Sequence, residues 1–308
     1  MIQLNKLAFV TQSYKDDYNE CVLLCESMDR FVPEEIRHYI FVNDEDYELF
    51  KNLGSHRRII FKKSKILPSF LFRCPFKFLG HHYHLSLITI PVREWIIQQI
   101  CKLGVFEVIP KDIEAVFNID SESIFMRSFN IDKLYKNGKY LLYKTTNQCE
   151  PNYEEYCFAA KKLLKLPNPY EELSKYNFMS TPVCFVRSNI ESMLSCISKN
   201  SIWKNWKIAL CNTYRFSEYY LYGIYVTFVK KNECHYNMTK YLFPMIDMLK
   251  ANSISDLEIA VVSKLKFDSE IMGIWLQKSN RKRMTSKYQN YNDVRSMIHK
   301  IWESGNNL

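Results

Sequence analysis

Three short apolar runs alternate with two amphipathic segments over residues 7–62, and this alternation constrains the fold more than any other feature. LAFVT (Leu7 to Thr11), HYIFV (His38 to Val42) and RRIIFK (Arg57 to Lys62) are short and rich in β-branched and aromatic residues, so they read as strands. Between the first two, Tyr18, Cys21, Val22, Cys25 and Met28 recur on one face of a helix. After the second, Asn43-Asp44-Glu45-Asp46 leads into a short helix, Tyr47 to Leu53, with acids at its positive end and Gly54 as its C-terminal cap. The order strand–helix–strand–helix–strand predicts parallel pairing with right-handed crossovers. The polar strand ends, Thr11 to Tyr14 and Asn43-Asp44, then share one edge and form the walls of a nucleotide pocket. Asp44, nearer the strand end, is the stronger ligand candidate; Asp46 reads equally well as a helix N-terminal acid.

A fourth strand carries the most chemistry. In EAVFNIDSESIFMRSF, Ala115, Val116, Phe117 and Ile119 form an apolar run that stops at Asp120-Ser121-Glu122. Two carboxylates at the end of a buried strand are costly unless something positive meets them. A divalent cation carrying a phosphate ester suits both, because Mg²⁺ and Mn²⁺ take carboxylate oxygens and leave room for phosphate. Ligands of open α/β sheets sit outside the carboxyl ends of strands, where this pair falls. The plainer alternative is a turn or helix cap at Ser121.

PVREWIIQQICK (Pro91 to Lys102) reads as a helix with proline in its first turn and Trp95, Ile96, Ile100 and Leu103 inward. Its Arg93 and Lys102 offer positive charge to a diphosphate; a surface salt bridge is the alternative for Arg93. The stretch before it, Ser64 to Ile90, is irregular. Its His81, His82 and His84 lack further ligands at metal-site spacing and read as structural or solvated. Downstream, Asn130 to Lys144 reads as a helix and then a strand after the turn Asn137-Gly138. Tyr153 to Leu166 is an amphipathic helix and Pro182 to Val186 a strand, with Asn189 capping the next helix. In FSEYYLYGIYV, Ser217-Glu218 precedes an aromatic helix bearing Tyr222. A carboxylate beside aromatic rings suits sugar recognition, while a capped buried helix explains it equally well. Leu257 to Val262 and Met272 to Leu276 read as strands, and Tyr288 to Trp302 as a terminal helix.

Composition narrows the classes. The 308 residues hold 47% hydrophobic and 15% aromatic residues, enough for a sizeable core and too many for a disordered chain. Only 7 glycines occur, with neither a Rossmann Gly-x-Gly-x-x-Gly nor a P-loop pattern. The net charge of +9 suits anionic partners. Basic residues are spread along the chain with no recognition motif, which argues against nucleic acid. The one basic cluster, Arg281-Lys282-Arg283 with Lys278 and Lys287, reads as a solvated loop, with contact to an anionic membrane surface as the alternative. No signal peptide, membrane span or Cys-x-x-Cys spacing appears among the 10 cysteines, so the expected compartment is cytoplasmic, with the inner membrane face as a variant.

Five segments in order, FVTQSYKDD, HYIFVNDEDYELF, PVREWIIQQICKL, NIDSESIFMRSF and FSEYYLYGIYV, resemble the GT-A type of nucleotide-sugar glycosyltransferase, and within it a bacterial family of that type. The resemblance covers most of residues 5–230. It implies a GT-A-like, Rossmann-type, mostly parallel sheet flanked by helices. Residues 1–130 would form the nucleotide-sugar part, and 131–308 a helix-rich acceptor part of the same domain. It implies an Asp-x-Asp metal motif, matched here by Asp120 and Glu122, so that Glu122 departs from the pattern. It also implies a late histidine ligand, where this chain has Trp275; His299 is a poor substitute.

The expected reaction is transfer of a sugar from a nucleotide-sugar donor to a glycan or other hydroxyl acceptor, as in bacterial surface polysaccharide synthesis. Mn²⁺ or Mg²⁺ on Asp120 and Glu122 would neutralise the leaving diphosphate. Thr11, Ser13, Tyr14, Asp44, Arg93, Lys102 and Ser121 would hold the donor. Arg187, Ser217 and Tyr222 would hold the acceptor, and Glu218 would deprotonate or bind its hydroxyl. A non-catalytic carbohydrate-binding protein and a nucleotidyltransferase are the alternatives.

Overall fold

The computed structural model describes residues 2–78, 80, 82–146, 151–277 and 291–304. Its central sheet has five strands: β1 (Leu7–Gln12), β2 (Arg37–Val42), β3 (Arg58–Lys62), β7 (Ala115–Asn118) and β11 (Val183–Val186), in the order β3-β2-β1-β7-β11. β1, β2, β3 and β7 run parallel, and the edge strand β11 runs antiparallel to β7. Three small sheets surround it. One joins β4 (Phe72–Arg73), β5 (Tyr83–Leu85) and β6 (Val92–Arg93). A second joins β9 (Tyr135–Lys136), β10 (Lys139–Tyr143) and β12 (His235–Met238). The third joins β8 (Ser123–Phe125), β13 (Met245–Asp247) and β14 (Gly273–Gln277).

The helices are α1 (Tyr18–Phe31), α2 (Tyr47–Phe50), α3 (Glu94–Gly104), α4 (Tyr153–Leu164), α5 (Tyr170–Leu173), α6 (Arg187–Asn200), α7 (Trp206–Cys211), α8 (Glu218–Ile224), α9 (Ile254–Phe267) and α10 (Tyr291–Ser304). Strand alternation divides them between the two faces of the sheet. Ala8, Val10, Phe41 and Val116 pack with Ile97 and Ile100 of α3 and Tyr219 of α8. Leu7, Phe9 and Phe117 point the other way, onto Leu24 and Met28 of α1. Phe9 meets the rings of Phe117, Phe125 and Phe129 at 5.6, 5.5 and 6.1 Å, which locks β1, β7 and β8 together beneath the turn at Asp120. Burial of each such ring contributes roughly 1.5–3 kcal/mol. A third core joins Ile124 and Ile274 to Leu257 of α9 and Ile298 of α10.

Several local expectations change. Leu257 to Val262 lies inside α9 and is not a strand. The Ser253 hydroxyl caps that helix by accepting from the Asp256 N–H, and Leu257, Val261 and Leu265 are buried at four-residue spacing. Residues Ile131–Lys133 make a single 3-10 turn where a helix was expected, and the turn Asn137-Gly138, both at positive φ, closes the β9–β10 hairpin. α3 starts at Glu94, three residues beyond Pro91, because Val92–Arg93 pair with β5. Trp95 lies partly exposed, stacked 5.9 Å from Tyr156, and is not in the buried stripe. α6 begins at Arg187, so Asn189 is a buried helical residue and not a cap. Gly54 adopts an extended conformation, not a left-handed cap. The basic cluster at 278–287, His81 and residues 288–290 of the terminal helix lie outside the described residues. No described helix is long and apolar enough to cross a membrane.

Candidate functional site

From β1 the sheet grows outward through β2 and β3 on one side and to β7 on the other. The strand order therefore reverses between β1 and β7, and ligands of doubly wound sheets bind outside the carboxyl ends of strands at such a switch point. The Ile119 N–H extends the pairing with a 2.9 Å bond to the Val10 carbonyl, and the chain then leaves the sheet at Asp120. Asp120 thus sits at this switch point. By the alternation that points Val10 and Val116 toward α3, Gln12 and Asn118 face the same side. Both amide atoms of Gln12 and the Asn118 Oδ1 are buried without a hydrogen-bond partner among the described residues. Buried polar atoms seldom stay unsatisfied, so this switch point offers bonds that water or a ligand completes.

Lys102, in the last turn of α3, reaches this switch point. Its Nζ lies 2.7 Å from the Tyr219 hydroxyl, 3.0 Å from Glu218 Oε1 and 3.3 Å from Asp120 Oδ1. Those three partners match the three donors of an ammonium. Burial alone would weaken the charge, but Asp120, Glu218 and Tyr219 together hold the pKa of Lys102 well above the usual lysine value. Burial pushes Glu218 up, with Lys102 opposing. α8 delivers Glu218 and Tyr219 because Ser217 caps it through the Tyr220 N–H and Gln99 Oε1 accepts from the Glu218 N–H at 3.3 Å. Glu218 is almost wholly buried, whereas the Asp120 side chain keeps 33% of its surface. Asp120 Oδ2 has no hydrogen bond among the described residues.

A second polar group stands at the ends of β2 and β3. The buried Lys63 donates to Asn43 Oδ1 at 2.9 Å and approaches Glu94 Oε1 at 3.9 Å. Asn43 Nδ2 and the Lys15 N–H both donate to Asp46 Oδ2. Desolvation lowers the pKa of Lys63, with nearby acids opposing. Sequence reasoning missed Lys63 because it follows the last predicted strand residue; its parity with Phe61, which packs on the α3 side, was the available signal.

The other expected site residues scatter. Thr11 points to the α1 side, with Oγ1 2.9 Å from His38 Nε2. Ser13 is buried beside Cys21, and its N–H donates to the Phe41 carbonyl at 2.9 Å. Tyr14 is half-buried beyond β1, and Ser121 is buried in the turn after Asp120. Asp44 is exposed and accepts from the Ser64 N–H. Arg93 lies over the Tyr214 ring at the opposite end of α3 from Lys102, roughly 13 Å along the axis at 1.5 Å per residue.

Three acceptor candidates are structural instead. Val186 pairs with Ala115, so Arg187 stands at the amino end of β7, away from Asp120. There its guanidinium donates to the carbonyls of Phe106, Pro110 and Ile113 at 3.0, 2.6 and 2.7 Å. Tyr222 is fully buried, accepts from the Val186 N–H at 2.9 Å and lies 2.9 Å from His235 Nε2. Ser217 is a buried cap. Ser217 and Tyr222 are buried, and Arg187 is half-buried at the end of the sheet away from Asp120.

Asp120 belongs with Lys102, while Glu122 joins Asp17 and Glu26 as carboxylates that, after burial, raise the pKa of Tyr291. Among the described residues no three His, Cys, Asp or Glu side chains gather to hold a metal. The late His299 is paired with Glu26 at 2.9 Å. These donors do not make a protein-held metal centre. They fit a divalent ion shared with a phosphate ligand, held by the open oxygen of Asp120, since Mg²⁺ is commonly bound by one or two carboxylates plus substrate phosphate.

A cavity of about 650 Å³ lies elsewhere, between α4 and residues 212–215, lined by Glu154, Phe158, Tyr170, Tyr214 and Arg215 among others. The fold and charged group together define an α/β protein with a Rossmann-like sheet and a charged switch-point site. The chain belongs to a family described as "Family of unknown function (DUF6492)", whose profile matches residues 4–254. No curated protein matches it. A solved structure titled "WbbM bifunctional glycosytransferase apo structure" is similar at a TM-score of 0.49 and 13% identity, covering 96% of this chain and 51% of that one. The chain thus spans about half the length of that protein.

Proposed function

We propose that the protein transfers a glycosyl group from a nucleotide-sugar donor to a hydroxyl acceptor. The observation that carries this reading is Asp120 at the switch point, one oxygen tied to Lys102 and the other open. The five segments that resemble GT-A glycosyltransferases support it, since three of them supply Lys102, Asp120 and Glu218. In the reaction the acceptor oxygen replaces the diphosphate oxygen at the anomeric carbon, and the nucleoside diphosphate leaves with the bonding pair. Developing charge on that leaving group is the main barrier.

One ammonium stands against two carboxylates here, so the group does not attract a diphosphate by itself. A divalent cation held by Asp120 would supply the missing positive charge. Lys102 fixes the Asp120 carboxylate at the switch point, and Glu218 acts as the buried counter-ion that positions Lys102. Gln12 and Asn118 offer the unsatisfied polar atoms that a sugar or ribose hydroxyl would pair with. Lys63 and Asn43 extend the donor site along the ends of β2 and β3.

A donor screen by thermal shift with Mn²⁺ tests this. One or more nucleotide sugars should raise Tm; a ligand at a hundred times its Kd adds about 2.7 kcal/mol. Unchanged Tm across uridine, guanosine, cytidine and thymidine donors overturns it. A nucleotidyltransferase is separated by released pyrophosphate. Non-catalytic glycan binding is favoured by the cavity beside Phe158 and Tyr214, whose exposed rings and neighbouring Glu154 and Arg215 suit a sugar face.

A further inference from the structure

The small sheet β4-β5-β6 turns large apolar side chains outward. Phe72 pairs with Leu85 and Arg73 with His84. Directly opposed residues share a face, so one face carries Arg73, His84 and Val92 and the other Phe72, Leu85, Tyr83 and Arg93. The face with Arg73, His84 and Val92 is the inner one. His84 is buried, with Nδ1 3.7 Å from Glu94 Oε2, and Arg73 bonds Glu45 and approaches Glu94 at 3.5 Å. The other face is turned out, with Phe72 and Leu85 exposed beside Arg93. Phe72 is 69% exposed, Phe76 77%, Phe78 67%, and Leu87 beyond β5 is fully exposed. A soluble surface rarely gathers so many large apolar side chains without a partner.

Charge selects the partner. No Asp or Glu stands between Glu48 and Glu94, while nine Lys or Arg do. Among them Lys65 and Lys77 are exposed, Lys77 between Phe76 and Phe78. Aromatic side chains interleaved with cations match the boundary of an anionic bilayer, where rings enter the headgroup region and ammonium groups meet lipid phosphates.

We propose that this sheet docks the protein on an anionic membrane surface through Phe72, Phe76 and Phe78, with Lys65 and Lys77 facing the lipid headgroups. The inference does not depend on glycosyl transfer. Docking puts the surface beside α3, whose far end carries Lys102, against the bilayer.

Sedimentation of the full chain with vesicles tests it. The protein should pellet with phosphatidylcholine vesicles containing about one third phosphatidylglycerol, and pellet at least tenfold less with phosphatidylcholine alone. The triple change Phe72→Ser, Phe76→Ser, Phe78→Ser should abolish pelleting with Tm unchanged, because these rings are exposed. Lys65→Glu with Lys77→Glu should weaken it at least tenfold, as should about 0.5 M salt. Absence of binding to anionic vesicles, or full binding by the triple variant, overturns the proposal. So does a dimer in light scattering that the triple variant dissociates, since a second copy would then cover the face.

Discussion

Lys102 of α3 and Asp120 beyond β7 meet at 3.3 Å across the point where the strand order reverses. Glu218 completes the group from α8, at 3.0 Å on the buried side. Because Glu218 is shielded and Asp120 is not, the two carboxylates have different parts: one anchors the ammonium and the other stays open to a ligand.

Removal of the ammonium should therefore be costly to stability. Lys102→Met leaves Glu218 buried without a counter-charge, and urea denaturation should show a loss of about 3–5 kcal/mol. The double variant Lys102→Met, Glu218→Met should recover most of it, since a buried ion pair replaced by apolar side chains of similar volume is often near neutral. Equal losses in the single and double variants would show that the pair is not coupled.

The proposed metal, shared between Asp120 and the donor, would make turnover depend on free divalent cation. EDTA should abolish donor turnover and excess Mn²⁺ should restore it, while Tm of the ligand-free protein stays constant, because the described donors form no protein-held centre. A large fall of Tm in EDTA would point to a structural metal instead.

The guanidinium of Arg187 binds three backbone carbonyls at the amino end of β7 and lies 4.6 Å over the Phe106 ring. Arg187→Ala should lower stability by about 2 kcal/mol in urea melts, the order expected for lost hydrogen bonds to a charged group. KM for the acceptor should not change. A raised acceptor KM without loss of stability would return Arg187 to the acceptor site.

Acid should weaken the fold through His235. Burial lowers its pKa from the ordinary 6.5 to about 4. The folded state favours the neutral ring, so its stabilising effect is complete above pH 6.5 and is lost as pH falls through 4. The gap corresponds to roughly 3 kcal/mol. Urea melts at pH 7 and pH 4 should show His235→Gln losing correspondingly less stability on acidification than the unmodified chain.

Much of the scaffold could be read from residue order. Strands at Leu7, His38 and Ala115 announced themselves because each is a short apolar run bounded by polar residues, and Asp120 followed from the end of one of them. Local patterns failed where long-range packing decided the outcome. Leu257 to Val262 has a strand-like apolar run, yet its contacts with the core of α10 and β14 come at helical spacing. Tyr222 and Arg187 have side chains suited to ligands, but β11 claims the first and the segment before β7 the second. Glu122 differs from Asp120 only by which group of charges it joins, and nothing in the triplet encodes that.

The most direct measurement is donor turnover by Asp120→Asn beside the unmodified chain, with whichever nucleotide sugar raises Tm. Asparagine keeps the shape and a hydrogen bond to Lys102 but removes the charge at the switch point. The predicted result is a fall in kcat of about 10²–10³, the size seen when one electrostatic stabiliser is lost, with Tm within a few degrees of the unmodified chain. Turnover equal to that of the unmodified chain would contradict the assignment of Asp120 and, with it, of the switch point as the reaction site.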